Sequence, residues 1–168
     1  MKVETIEWVE EGWGTNPCSE IILRNGQFCN LTEVVVRAGD SLDDLKRKVR
    51  LATIMGTIQS TLTSFKYLRR HFATNTEEER LLGVSLTGIM DHPELSGKFI
   101  DSKFETELLA SKLQELKEVA IETNKEWATK LGIPQSAAIT CVKPSGTVSQ
   151  LVDSASGIHP RYSSHYIR

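Results

Sequence analysis

Ala137-Ala138-Ile139-Thr140-Cys141-Val142 runs directly into Lys143-Pro144-Ser145-Gly146-Thr147-Val148-Ser149, and this stretch decides the fold class. A short apolar run with β-branched residues reads as a buried strand. The glycine-containing, hydroxyl-rich turn after it leads into a helix start, which is the strand, loop and helix step of an α/β protein. Such a loop suits an anion, because unpaired backbone N–H groups and the positive end of a helix dipole face whatever sits there. The same residues also suit an ordinary helix cap in which Ser or Thr closes the first turn.

Upstream, the pattern repeats with helices between. Arg80 to Met90 is apolar, punctuated by Gly83 and Gly88, and reads as a buried parallel strand that lets neighbouring groups approach closely. Ser41 followed by Asp44 is a variant capping box. Leu42, Leu45, Val49 and Ala52, continued by Leu51, Ile54, Met55, Ile58 and Leu62, predict an amphipathic helix of roughly twenty residues. Leu109, Leu113, Leu116, Ala120, Trp127 and Leu131 predict a second long helix, stopped by Gly132 with Pro134 just beyond. Both stripes read as core packing. Helix, strand, helix, strand and anion loop is the order of a sector of an α/β barrel.

The N-terminal part carries reactive residues. Asn16-Pro17-Cys18-Ser19-Glu20 is followed by Cys29, eleven positions after Cys18. If the segment is extended, Asn16, Cys18 and Glu20 point to one side, and an amide, a thiol and a carboxylate converge on one bound group. A polar turn around Pro17 with an inert cysteine is the plainer alternative.

Taken together, these blocks resemble the adenosylcobalamin-dependent, class II, ribonucleotide reductases, in particular the ribonucleoside-triphosphate reductase branch. The matching text is Gly14 to Ile21, Cys29-Asn30-Leu31-Thr32-Glu33, Glu79 to Ile89, and Lys143 to Arg168 with its Pro-Ser-Gly-Thr-Val-Ser loop and Ser156-Gly157-Ile158-His159-Pro160-Arg161. The likeness runs in order from about Gly14 to the last residue. It divides the chain into an unassigned segment, 1–13, and a catalytic-barrel segment, 14–168. A chain of 168 residues suffices for one domain, whereas the family's barrel is a larger unit of ten strands. The resemblance therefore implies a partial sector of that α/β barrel, from the radical-cysteine loop to the phosphate-binding loop, inactive in isolation and completed by a second chain.

The roles that follow are those the resemblance implies. Cys18 matches the position of the thiyl radical, formed with adenosylcobalamin as cofactor, which abstracts the ribose 3′-hydrogen. Glu20 matches the general base for the 3′-hydroxyl, and Asn16 holds the ribose hydroxyls. Cys29 matches one half of the dithiol that reduces the ribonucleotide substrate and is later restored by a thioredoxin-type dithiol. Its partner has no counterpart in the chain. Cys141 is the other candidate and reads as inert burial in the strand before the loop. Ser145, Gly146, Thr147 and Val148 match the loop that holds the substrate phosphates.

Composition narrows the classes. Net charge −2 with 39% hydrophobic and 25% charged residues offers no basic field for nucleic acid and no apolar run for a membrane. The N-terminus lacks the pattern of a secretion signal, so a reducing cytoplasmic setting is expected. Three cysteines cannot pair fully among themselves, which suits thiols kept for chemistry or packing. His71, His92, His159 and His165 show no metal-ligand spacing, so no metal site is expected. A second reading, from a different class, is a non-catalytic remnant or small α/β module that binds a phosphorylated metabolite through the loop after Lys143.

Overall fold

The structure is a computed structural model that describes residues 12–163, 165 and 167. The unassigned segment 1–13 therefore lies outside the described residues except for Gly12 and Trp13. In chain order the elements are β1 (Gly14–Thr15), β2 (Ile22–Leu23), β3 (Asn30–Val35), α1 (Leu42–Gln59), α2 (Arg70–Glu79), β4 (Leu82–Thr87), a 3-10 turn (Ile89–Asp91), α3 (Lys103–Leu131) and the single turn α4 (Val148–Leu151).

The centre is a parallel pair, β3 beside β4, in the register Leu31↔Gly83, Glu33↔Ser85. Its two faces differ. Val34, Val36 and Val84 pack with Leu45 and Val49 of α1 and with Leu116 and Ala120 of α3, forming the core. Leu31, Glu33, Gly83 and Ser85 occupy the other face and point away from the helices. The strand β3 was not anticipated from the sequence. Its mixed alternation, Asn-Leu-Thr-Glu-Val-Val, places polar residues on a half-buried face, and no apolar run marks it.

The expected strand 137–142 forms only one bridge, Thr140 to Val84, supported by Leu82 N–H to Ala138 O at 2.9 Å and Val84 N–H to Ile139 O at 2.8 Å. The expectation of burial is also corrected, since Ala137, Ala138, Thr140 and Val142 are exposed. Among the described residues no further strand lies beyond this one, so it forms the open edge of a partial sheet. An apolar cleft of about 440 Å³ opens there, between Leu113 and Leu116 of α3 and the Thr140 to Val142 edge.

The helices begin where their caps predict. Ser41 Oγ accepts from Asp44 N–H at 3.1 Å, and Asp44 Oδ2 accepts from Ser41 N–H at 3.1 Å, completing the box. Ser102 caps α3 in the same manner, through Glu105 N–H at 3.3 Å. Gly132 ends α3 in the left-handed conformation at φ 67°, where a side chain would be strained.

The C-terminal half of the α1 stripe departs from expectation. Leu51, Met55, Ile58 and Leu62 are exposed, whereas Thr53 and Thr57 are fully buried. Their hydroxyls donate back to Val49 O and Thr53 O at 2.8 and 2.7 Å, which removes the cost of burying them. The neighbour requires this polarity, because Asn124 of α3, itself 1% exposed, donates to Thr57 Oγ1 at 3.0 Å and holds the chain at Ser136 by two further bonds. Among the described residues no helix is long and apolar enough to cross a membrane.

Candidate active site

The short strands β1 and β2 pair antiparallel, Gly14↔Leu23 and Thr15↔Ile22, so residues 16–21 form a hairpin connection. Asn16 closes it with its backbone and its side chain: Asn16 N–H donates to Ile21 O at 3.3 Å, Ile21 N–H donates to Asn16 Oδ1 at 3.1 Å, and Ser19 N–H donates to Asn16 O at 2.9 Å. Pro17 fixes its own φ, and Ser19 sits in the left-handed region at φ 61°. The segment is thus a turn, and the extended alternation that would align Asn16, Cys18 and Glu20 does not occur. Cys18 is exposed at the hairpin tip, while the Glu20 side chain is only 1% exposed.

Glu20 points inward to Lys143. Lys143 Nζ lies 3.4 Å from Glu20 Oε1, and the Lys143 backbone N–H is fixed on Ser85 Oγ at 2.9 Å. Glu20 Oε2 is buried and makes no hydrogen bond among the described residues. Burial alone would push this carboxyl up. Its own backbone N–H, the Asn16 amide and the Lys143 ammonium outweigh burial and hold the carboxyl below the usual range, so Glu20 is ionised at neutral pH.

Beside this pair, Gly83 makes room for two thiols. A Cβ built on Gly83 would stand 3.3 Å from Cys29 Sγ and 3.1 Å from Cys141 Sγ, and would collide with the Leu31 side chain. Both cysteines are free and half-buried. Burial first, then the neighbouring Cys141 and the Glu20 charge, push the Cys29 thiol up to about 12. Burial and the Glu20 charge push Cys141 up to about 11, with Lys143 opposing and Glu33 adding slightly. Both sulfurs are therefore protonated at neutral pH, the state suited to giving up hydrogen atoms and unsuited to nucleophilic attack.

The loop after Lys143 is held more tightly than expected. Ser145 is 2% exposed with φ 55°, and its hydroxyl donates to Glu33 Oε2 of β3. Ser145 O in turn accepts from Ser149 Oγ at 2.5 Å, and Pro144 O accepts from Gly157 N–H at 2.9 Å. The following helix is a single turn, and its N-cap, Thr147, makes no side-chain capping bond. The Ser145 hydroxyl is therefore committed to a carboxylate. The exposed Thr147 hydroxyl is the less constrained of the two.

The structure thus brings Asn16, Glu20 and Cys29 together with Lys143 and Cys141, leaves Cys18 at the hairpin tip, and sets the Ser145 to Val148 loop one step further along, at Glu33. Sequence reasoning assigned no site role to Glu33, Ser85, Gly83 or Lys143. The signal was available in the parity of the strands, since residues 31 and 33 of β3 and 83 and 85 of β4 share the face that the helices leave open. Arg161, also unassigned from sequence, ties the C-terminal block down by donating to Asp91 Oδ1 at 3.1 Å and to Asp153 Oδ1 at 2.7 Å. Among the described residues no group of His, Cys, Asp or Glu could hold a metal ion.

No family model matches the chain. Curated relatives named adenosylcobalamin-dependent ribonucleoside-triphosphate reductase match it along 92% of its length: those of Lactobacillus gasseri and Lactobacillus acidophilus at 30% identity and that of Lactobacillus leichmannii at 28%. The chain spans 23% of the length of each. A crystal structure of a B12-dependent, class II, ribonucleotide reductase matches with a TM-score of 0.70 at 24% identity, over 92% of this chain and 24% of that one. The chain is similar to one segment of these reductases, and its fold is a partial sector of theirs.

Proposed function

From this kinship we propose that the chain is the part of an adenosylcobalamin-dependent ribonucleotide reductase that carries the radical cysteine, the general base and the phosphate loop, and that it acts on ribonucleoside triphosphates once the remaining barrel is supplied by a second chain. The observation that carries the proposal is the Glu20 carboxylate: ionised, 1% exposed, paired on one oxygen with Lys143 and unpaired on the other. A buried charged oxygen without a partner costs stability. A ribose 3′-hydroxyl would supply the missing donor, and Glu20 is the group to take its proton.

The remaining residues fall into roles around that oxygen. Asn16 both closes the hairpin and lies beside Glu20, so its amide is at hand for a neighbouring ribose hydroxyl. Cys29, protonated beside the Glu20 charge, is the hydrogen donor to the substrate. Cys18, exposed at the hairpin tip, suits a thiol whose hydrogen must be taken by a group arriving from outside the hairpin. When bound, adenosylcobalamin supplies a carbon radical by homolysis of its cobalt–carbon bond. Thr147 and the loop backbone hold the substrate phosphates, and a thioredoxin-type dithiol restores the reduced thiols by exchange.

A free-standing phosphate-binding module has less support. With Ser145 committed to Glu33 and one helical turn behind the loop, Thr147 and the loop backbone suit a phosphate whose ribose is also held at Glu20 better than a phosphate held by the loop alone. The test is complementation: the chain is mixed with the remaining parts of a relative's barrel, adenosylcobalamin, a dithiol and a ribonucleoside triphosphate, and deoxyribonucleotide is quantified. Product that requires Cys18 and Glu20 supports the proposal. Product that persists in Glu20→Ala refutes the role of the carboxylate.

A further inference from the structure

We propose that Glu33 is a positioning residue for the loop after Lys143: by accepting the Ser145 hydroxyl it holds residue 145 in the left-handed conformation that gives the loop its shape. Residue 145 sets the direction of Gly146 and Thr147. Glu33 thereby serves the function proposed above, on which its role rests for the ligand, a nucleotide phosphate.

Among the described residues Ser19, Arg80, Ser145 and Asp153 have positive φ without being glycine. Ser19 and Asp153 are exposed and Arg80 is half-buried, whereas Ser145, at φ 55°, is only 2% exposed. In this region the Cβ crowds the backbone, a cost that glycine escapes and serine does not. Such a conformation persists only where the surroundings impose it, and it marks places where shape matters to function.

The chain enters residue 145 in a fixed direction. The Lys143 N–H is held on Ser85 Oγ at 2.9 Å, and Pro144 O accepts from Gly157 N–H at 2.9 Å. Lys143 precedes a proline, which confines it to extended conformations. A Cβ on Gly157 would stand 2.0 Å from Lys143 O, so the backbone at residue 157 lies directly against the loop. On the far side, Ser145 O accepts from Ser149 Oγ at 2.5 Å. These contacts grip the main chain, and Glu33 Oε2 grips the Ser145 side chain. Glu33 lies within β3, opposite Ser85 of β4. The two strands therefore hold the loop at both Lys143 and Ser145, and rigid elements of this kind position a binding loop better than the loop positions itself.

The role needs an acceptor at position 33 and no charge, which makes it separable by substitution. In the full chain alone, residue-corrected backbone carbon shifts at position 145, which report φ, should leave left-handed values in Glu33→Ala and keep them in Glu33→Gln. In the complemented enzyme Glu33→Ala should raise KM for the ribonucleoside triphosphate roughly tenfold, the weight of one residue's left-handed strain, with kcat little changed. Glu33→Gln should keep the parent's KM or lower it. Adding Ser145→Gly to Glu33→Ala should restore KM, because glycine adopts positive φ without the bond. Should Glu33→Ala fold poorly, Ser145→Ala removes the same bond from the other side and should give the same shifts and the same rise in KM. Left-handed shifts that persist without the bond, or a KM that Ser145→Gly does not restore, overturn the proposal. Shifts that respond as stated in a chain that stays inactive on complementation would support the hold on residue 145 and count against the reductase reading alone.

Discussion

Lys143 and Glu20, separated by 123 positions in the chain, form an ion pair of 3.4 Å between a side chain 22% exposed and one 1% exposed. The pair joins the hairpin that carries Cys18 to the loop that begins at Pro144. It also sets the charge beside both half-buried thiols.

Replacing Lys143 with Met removes the charge that helps hold the Glu20 carboxyl below its ordinary value, so burial then dominates and the pKa rises. In the unsubstituted chain the depressed value means that Glu20 adds stability above its unfolded pKa, and that this contribution is lost as the pH falls through the folded value. Lys143→Met should therefore lose stability near neutral pH, by about 1–3 kcal/mol for a buried carboxylate left short of a partner, and lose less of it on acidification. Chemical denaturation followed across pH 3 to 7, about the range of carboxyl titration, measures both effects.

Glu20→Gln should act on the thiols in the opposite sense. Removing a negative charge favours the thiolate, so the values near 12 for Cys29 and 11 for Cys141 should both fall. Iodoacetamide labelling at mildly alkaline pH, read by mass spectrometry, should show both cysteines reacting faster than in the parent chain. Unchanged rates would mean that burial alone sets their reactivity.

The loop hydroxyls should separate cleanly. Ser145→Ala leaves the Glu33 carboxylate without its donor in a site that is 2% exposed at Ser145, and should cost about 1–3 kcal/mol in thermal or chemical denaturation. Thr147→Ala, at an exposed position with no capping bond, should leave stability within about 0.5 kcal/mol. It should instead weaken nucleotide binding in the complemented enzyme, by about 1.5–3 kcal/mol for a lost hydrogen bond to a charged group, read by calorimetric titration.

Gly83→Ala places a methyl group against Leu31 and between Cys29 and Cys141. Overpacking of this kind costs about 1–3 kcal/mol. The loss should be reduced by Leu31→Ala in the same chain, since that removes the hardest contact, and a double-mutant cycle in denaturant measures the coupling.

The long helices and β4 were legible because local signals agreed: the Ser41–Asp44 box, the Gly132 stop and the apolar run around Val84. The Thr53 and Thr57 face of α1 was not, because its burial is decided by Asn124 on another helix, and residue type alone favoured Leu51 and Met55. The strand 137–142 read as buried because its composition is that of an interior strand, whereas its outer edge meets no partner among the described residues. Asn16, Glu20 and Cys29 were legible as motif residues. Their arrangement was not, because the hairpin turn at Ser19 replaces extended alternation, and because Lys143 and Cys141 reach the site through the long-range pairing of residues 138–143 with β4.

The division of labour between Cys18 and Cys29 is tested most directly by freeze-quench electron paramagnetic resonance on the complemented enzyme, with product counted per turnover. A hydroxyl's O–H bond is too strong to replace a thiol in hydrogen transfer, so Cys18→Ser should lose the thiyl-radical signal and all product. Cys29→Ser should keep the radical signal and yield no deoxyribonucleotide, because the remaining thiol cannot supply the two hydrogens that even one turnover consumes. Equal loss of the signal in both variants, or a signal that survives in Cys18→Ser, would contradict the account.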